Sequence, residues 1–192
     1  VPKRQAEYFM GRYAAREASL DLGIAPVDVP TGAHREPLWP PGVTGSITHA
    51  AGFAAAAVAR VPDYLGLGID IEQVMERDVR QSIEHSIITP SEAACLDLQD
   101  GDFSRESLLT LIFSAKESFF KATFPAVGRY FGFEAIEFSG INVQEQTLSF
   151  DVIETLSPAL HLGHRVVLRF GYLDPTTVMT SFTWRRNPLD NR

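Results

Sequence analysis

The residues best suited to chemistry are carboxylates in two short blocks. In Gly68-Ile69-Asp70-Ile71-Glu72 the alternation predicts a strand whose pleat puts Asp70 and Glu72 on one face, roughly 6.6 Å apart along it, with Ile69 and Ile71 turned to a core. In FSAKESFFK, Phe113 to Lys121, a helical reading makes Glu117 and Lys121 neighbours at i, i+4, on the side away from Ala115. Taken singly, these are also what an acidic sheet face or an ordinary surface Glu-Lys pair looks like. Brought together, three carboxylates make an all-oxygen, hard-ligand site that suits Mg2+ or Mn2+ and leaves room for water and phosphate oxygens. Another acid, Glu92 in Thr89-Pro90-Ser91-Glu92, reads equally as a helix N-terminal residue. Candidate cations are Arg12 and Arg16, one helical turn apart, with Arg4 two turns before Arg12 but offset around the axis.

Other residues read as structural. His161 and His164 in HLGH fall in a loop entering a strand, which disfavours a metal pair. Cys95 reads as a small apolar helix residue, and neither Ser46 nor Ser114 has a visible His/Asp arrangement for nucleophilic attack. Phe119, Phe120, Phe124, Phe131 and Phe133 read first as core.

The elements that must position these groups follow from periodicity and breakers. Lys3 to Leu22 predicts a first helix, with Phe9, Met10, Tyr13 and Ala14 as its apolar face and Gly23 as its stop. Five prolines between Pro26 and Pro41 exclude a helix or a central strand there and predict a structured loop. GSITH (Gly45 to His49), GFAAAAVAR and Tyr64 to Glu72 read as strands; the alanine run is ambiguous with a helix, but its short length favours a strand. A helical stretch from Val79 to Leu98 is broken at Thr89-Pro90. The third helix, Glu106 to Thr123, carries the stripe Leu108, Leu111, Ile112, Ala115 and Phe119, with Pro125 as its expected end. From Glu134 to Thr183 four alternating segments predict strands.

Composition narrows the class. The 192 residues, 45% hydrophobic and 21% charged, can bury the core of a soluble globular protein. A net charge of -7 argues against a general nucleic-acid binder, although it leaves local basic pockets possible. The longest apolar run, Ala50 to Ala59, is half of the roughly 20 residues a membrane span needs. A single cysteine fits a reducing, cytoplasmic setting. Without an initiator Met, the native start is expected upstream of Val1.

The ordered blocks GSITH, GIDIE and FSAKESFFK, supported by KRQAEYF, GRYAAR, REPLWPPG and FPAVGRYFGF, closely resemble the 4'-phosphopantetheinyl transferases of the surfactin-synthetase and enterobactin type. The resemblance reaches from about Lys3 to Phe133. It implies a mixed α/β fold of two similar halves related by a pseudo-twofold axis, residues 1–67 and 68–192, acting as a monomer. It also implies transfer of 4'-phosphopantetheine from coenzyme A to a serine hydroxyl of an apo acyl or peptidyl carrier protein, as a holo-acyl-carrier-protein synthase does, with release of adenosine 3',5'-bisphosphate. Carried over by position, Asp70, Glu72 and Glu117 become the Mg2+ carboxylates, with Mn2+ an alternative. Lys121 becomes the contact to the coenzyme A phosphates, with Lys116 beside it. His49, assisted by Thr48 or Ser46, becomes the 3'-phosphate contact, and Arg12, Arg16 and Arg35 further nucleotide contacts. Glu117 is then the first candidate for the serine base and Glu92 the second; Phe120 would border the pantetheine channel. The carriers of fatty-acid, polyketide, nonribosomal-peptide or siderophore synthesis are all expected partners. A non-catalytic coenzyme A or carrier-binding module and a Mg2+-dependent phosphohydrolase stand as alternatives.

Overall fold

The smallest feature that shapes this fold is a pair of glycines on one strand. A Cβ at Gly66 would lie 1.9 Å from the Ala122 carbonyl oxygen, and one at Gly68 would lie 1.8 Å from that of Ser118. Only glycine at both positions lets a long helix settle directly on the strand. The protein is described here from a computed structural model covering residues 2–25, 28–50, 52–97 and 103–186.

That helix is α4, introduced here with the other elements in chain order. α1 (Pro2–Asp21) precedes a hairpin of β1 (Val43–Ala50) and β2 (Phe53–Arg60); then come β3 (Tyr64–Gln73), α2 (Arg77–Ile87), α3 (Pro90–Asp97) and α4 (Arg105–Val127). The chain ends in β4 (Ile136–Asn142), β5 (Thr147–Val152), β6 (Arg165–Asp174) and β7 (Thr177–Arg185). β1 and β2 form a two-stranded antiparallel sheet, and the larger sheet has the order β3-β7-β6-β5-β4, antiparallel throughout. The result is a mixed α/β architecture with two sheets, as the motif order implies. The division expected between residues 67 and 68 falls inside β3, which runs unbroken from Tyr64.

The predicted α4 stripe is buried in full: Leu108, Leu111, Ile112, Ala115 and Phe119 meet Leu148, Phe150, Leu168 and Val178 of the sheet in one core. Ser104 caps the helix by accepting the Ser107 N–H at 3.1 Å. Pro125 does not end it, contrary to expectation. The helix forgoes one hydrogen bond and runs on to Val127, where Gly128 at φ 70° closes the last turn by donating to the Phe124 carbonyl at 2.9 Å.

The expected apolar face of α1 is also corrected. Phe9, Met10 and Tyr13 are exposed, while Gly11, Ala15 and Ser19 face inward. The reason is the close approach to the hairpin: a Cβ at Gly11 would already lie 2.7 Å from Ile47 Cγ2, so only small residues fit there. The segment Val79 to Leu98 resolves into α2 and α3, with Leu98 outside the described residues; of the proline-rich loop, positions 26 and 27 are likewise outside them. The four late strands are present, although Phe133–Ala135 forms a 3-10 turn before β4 rather than its first residues. No helix among the described residues is long and apolar enough to cross a membrane.

Candidate active site

β1 runs beside β3 without pairing to it as a ladder, and two hydroxyls span the gap. Ser46 Oγ accepts the Ile69 N–H at 3.0 Å, and Thr48 Oγ1 accepts the Ile71 N–H at 3.1 Å while donating to Asp70 Oδ1 at 3.2 Å. Both hydroxyls are buried and engaged by β3. These two residues, expected beside a nucleotide phosphate, are placed where they hold the strand that bears Asp70.

α4 packs over the same strand. One turn apart on it, Glu117 and Lys121 face the carboxylates of β3, and Lys121 Nζ donates to Asp70 Oδ1 at 2.6 Å and to the Ile69 carbonyl at 3.3 Å. Burial, reinforced by the charge of Asp70 and opposed by Lys121, pushes the Glu72 carboxyl up to about 7, with Glu117 adding to the rise. Burial likewise raises Glu117, with Lys121 opposing it and Asp70 adding to it. Three carboxylates thus share one site with a single ammonium, and Asp70 Oδ2 is buried without a hydrogen-bond partner. Such an oxygen and such mutual repulsion fit a hard divalent cation. Among the described residues no three His, Cys, Asp or Glu side chains form a ready metal cluster as they stand.

A cleft leads away from Glu117 and Lys121 in both directions. Toward α1 it is cationic: a cavity of about 530 Å³ is lined by Arg4, Tyr8, Arg12, Arg35 and His49, with Glu7 also on its wall. Arg12 stacks over the Tyr8 ring at 4.7 Å and donates to Thr31 Oγ1 at 3.0 Å, while its Nε is buried without a partner. Arg35 holds φ 68°, unusual for a side-chain-bearing residue, in a turn closed by its own N–H to the Gly32 carbonyl at 3.1 Å. That turn sets Arg35 where the cationic cavity meets a second one, about 220 Å³, which contains Glu117, Lys121 and Trp39. Beyond Glu117 a third cavity of about 320 Å³ is lined by Phe119, Phe120, Tyr130, Phe131 and Phe133. Phe120 belongs to both of the last two, and Phe119, Phe124, Phe131 and Phe133, which read first as core, each line one or the other.

Of the other expected residues, Lys116 is on the wall of the aromatic cavity, while Glu92 lines none of the three. Arg16 is exposed on α1 and lines none of these three cavities. Lys116 is 1% exposed and bonded to Glu92, itself 0% exposed, at 2.7 Å, and to the Ile87 carbonyl at 3.0 Å. Burial lowers the Lys116 ammonium, with Glu92 opposing. Glu92 also accepts the Thr89 and Phe138 N–H groups at 2.8 and 2.7 Å, so both its oxygens are taken and it ties α3 to α4 and β4. Tyr8, Trp39 and Tyr130 also line the cleft, although no local sequence pattern marks them. Positions 4, 7, 8, 11 and 12 form one helical face, so Arg4 joins Arg12 on the cavity wall while Arg16 does not.

The cleft thus runs from a cationic cavity past Glu117 and Lys121 to an aromatic one. Two family models match: the 4'-phosphopantetheinyl transferase N-terminal domain over residues 1–59, and the 4'-phosphopantetheinyl transferase superfamily over residues 66–168. The chain belongs to the 4'-phosphopantetheinyl transferase superfamily. It is 37% identical over 134 residues to the 4'-phosphopantetheinyl transferase Npt of Nocardia iowensis, covering 70% of this chain and 58% of that protein. To Svp of Streptomyces mobaraensis it is 40% identical over 140 residues, 71% and 55% of the two chains. To enterobactin synthase component D of Salmonella typhi it is 36% identical over 146 residues, 76% and 59% of the two. The matched region thus spans little more than half of these relatives. A holo-(acyl-carrier-protein) synthase from Bacillus anthracis, solved with CoA (3',5'-ADP), is a distant structural neighbour that covers 65% of this chain and 99% of its own at a TM-score of 0.41 and 18% identity.

Proposed function

We propose that this chain transfers 4'-phosphopantetheine from coenzyme A to the serine hydroxyl of an apo acyl or peptidyl carrier protein, releasing adenosine 3',5'-bisphosphate. The observation that carries the reading is the order along the cleft: cations, then Glu117 with Lys121, then aromatic rings. Coenzyme A has the same order, with a 3'-phosphorylated nucleotide, a pyrophosphate and an uncharged pantetheine arm. Arg4, Arg12, Arg35 and His49 would hold the nucleotide phosphate, and the unpartnered Arg12 Nε supports an anion there. Lys121 would meet the pyrophosphate and stabilise the leaving bisphosphate. Phe120, Phe131 and Tyr130 would cover the pantetheine arm and keep water from the reacting phosphorus.

Asp70, Glu72 and Glu117 would hold Mg2+ or Mn2+, which when bound supplies Lewis-acid neutralisation of the pyrophosphate charge. Glu117 is the serine base of choice, because it lines the cavity beside Lys121 whereas both oxygens of Glu92 are already engaged. The site lies within one chain, and a cytoplasmic setting fits its substrate. The relative named as an enterobactin synthase component supports a siderophore-synthase carrier among the acceptors; fatty-acid and polyketide carriers present the same serine chemistry.

Incubation with coenzyme A, Mg2+ and an apo carrier, followed by intact mass measurement, tests the reading. The carrier should gain the phosphopantetheine mass. An unchanged carrier would overturn the transferase, and phosphopantetheine freed into solution would indicate hydrolysis instead.

A further inference from the structure

The ammonium of Lys121 sits against a carboxylate that a metal would use. Its Nζ is 2.6 Å from Asp70 Oδ1, an oxygen also bonded by Thr48, whereas Asp70 Oδ2 is buried and unpartnered. Lys121 reaches this position from α4, one turn after Glu117, and borders the cavity that joins the cationic and aromatic ends of the cleft. An ammonium and a divalent cation on one carboxylate repel each other strongly where water is largely excluded. Phosphate oxygens entering that cavity would offer the same ammonium a second anionic partner.

We infer that Lys121 competes with the divalent cation for Asp70, and that coenzyme A relieves the competition by drawing the ammonium onto its phosphates. Metal and coenzyme A then bind cooperatively through one side chain, and by linkage each tightens the other by the same factor. The inference rests on Asp70, Glu72 and Glu117 being the metal ligands. It assigns Lys121 a task before any chemistry, distinct from stabilising the leaving group.

The test is titration calorimetry with Mg2+ on the whole chain, with and without saturating coenzyme A and with no carrier present, so that nothing turns over. Without coenzyme A, Lys121→Met should bind Mg2+ about ten-fold more tightly than the parent, and Lys121→Arg, which keeps the charge, should match the parent. With coenzyme A the advantage of Lys121→Met should vanish. Equal metal affinity of Lys121→Met and parent without coenzyme A would overturn the competition. So would an advantage that persists undiminished with coenzyme A, since Lys121 would then act only as a distant charge. If the parent binds no more Mg2+ than Asp70→Asn even with coenzyme A, the metal assignment itself falls and the inference with it. Circular dichroism reports folding, and Lys121→Gln carries the same measurement should Lys121→Met fail to fold.

Discussion

A carboxyl pushed up to about 7 has a measurable thermodynamic signature, and Glu72 supplies one. Between its ordinary value of 4.5 and about 7 the folded chain keeps a proton that the unfolded chain has lost, so stability falls as pH rises through that window. Above it both states are ionised and the slope disappears. Glu72 is only partly buried, so the loss should be on the order of 1 kcal/mol once solvent screening is allowed for. Urea unfolding of the metal-free protein at pH 5 and pH 8 should show it, Glu72→Gln should flatten it, and Mg2+ at pH 8 should restore the parent. A parent with no more pH dependence in that window than Glu72→Gln would mean that Glu72 is neither as buried nor as close to Asp70 as the fold places it.

At the scale of elements, the contact between α4 and β3 decides whether Glu117 and Lys121 reach Asp70 and Glu72. Gly68→Ala would put a methyl 1.8 Å from the Ser118 carbonyl, which is backbone and cannot rotate away. It should destabilise by about 3 kcal/mol and weaken coenzyme A binding in whatever fraction still folds, measured by unfolding and by calorimetry. The α4 stripe, the period-2 carboxylates and all three motif blocks were legible beforehand, because periodicity reports which face is buried. What periodicity does not report is how closely two elements approach. That is why α1 was assigned its large apolar residues as the inward face, when Gly11 and Ala15 are what the contact with the hairpin admits. Partners across the fold were hidden for a similar reason. Nothing local distinguishes Lys116, locked to Glu92 in the interior, from Lys121 a turn and a half later at the cleft.

Taken whole, the protein carries a net charge of -7 and still presents Arg4, Arg12, Arg35 and His49 in one cavity. Attraction to a polyanion must therefore be local and exposed to salt. Raising ionic strength from about 0.05 to about 0.5 M should weaken coenzyme A binding about ten-fold, and 3'-dephospho-coenzyme A should lose clearly less. Equal salt sensitivity of the two ligands would place the 3'-phosphate outside the Arg12 cavity. The seam between the sheets bears on the same scale. β3 is the last strand of the larger sheet, so one side of it would otherwise be a bare row of amides and carbonyls inviting a strand from a neighbouring molecule. By occupying the Ile69 and Ile71 N–H groups, Ser46 and Thr48 blunt that edge, so the strand that carries Asp70 and Glu72 offers fewer free amides to a neighbouring strand.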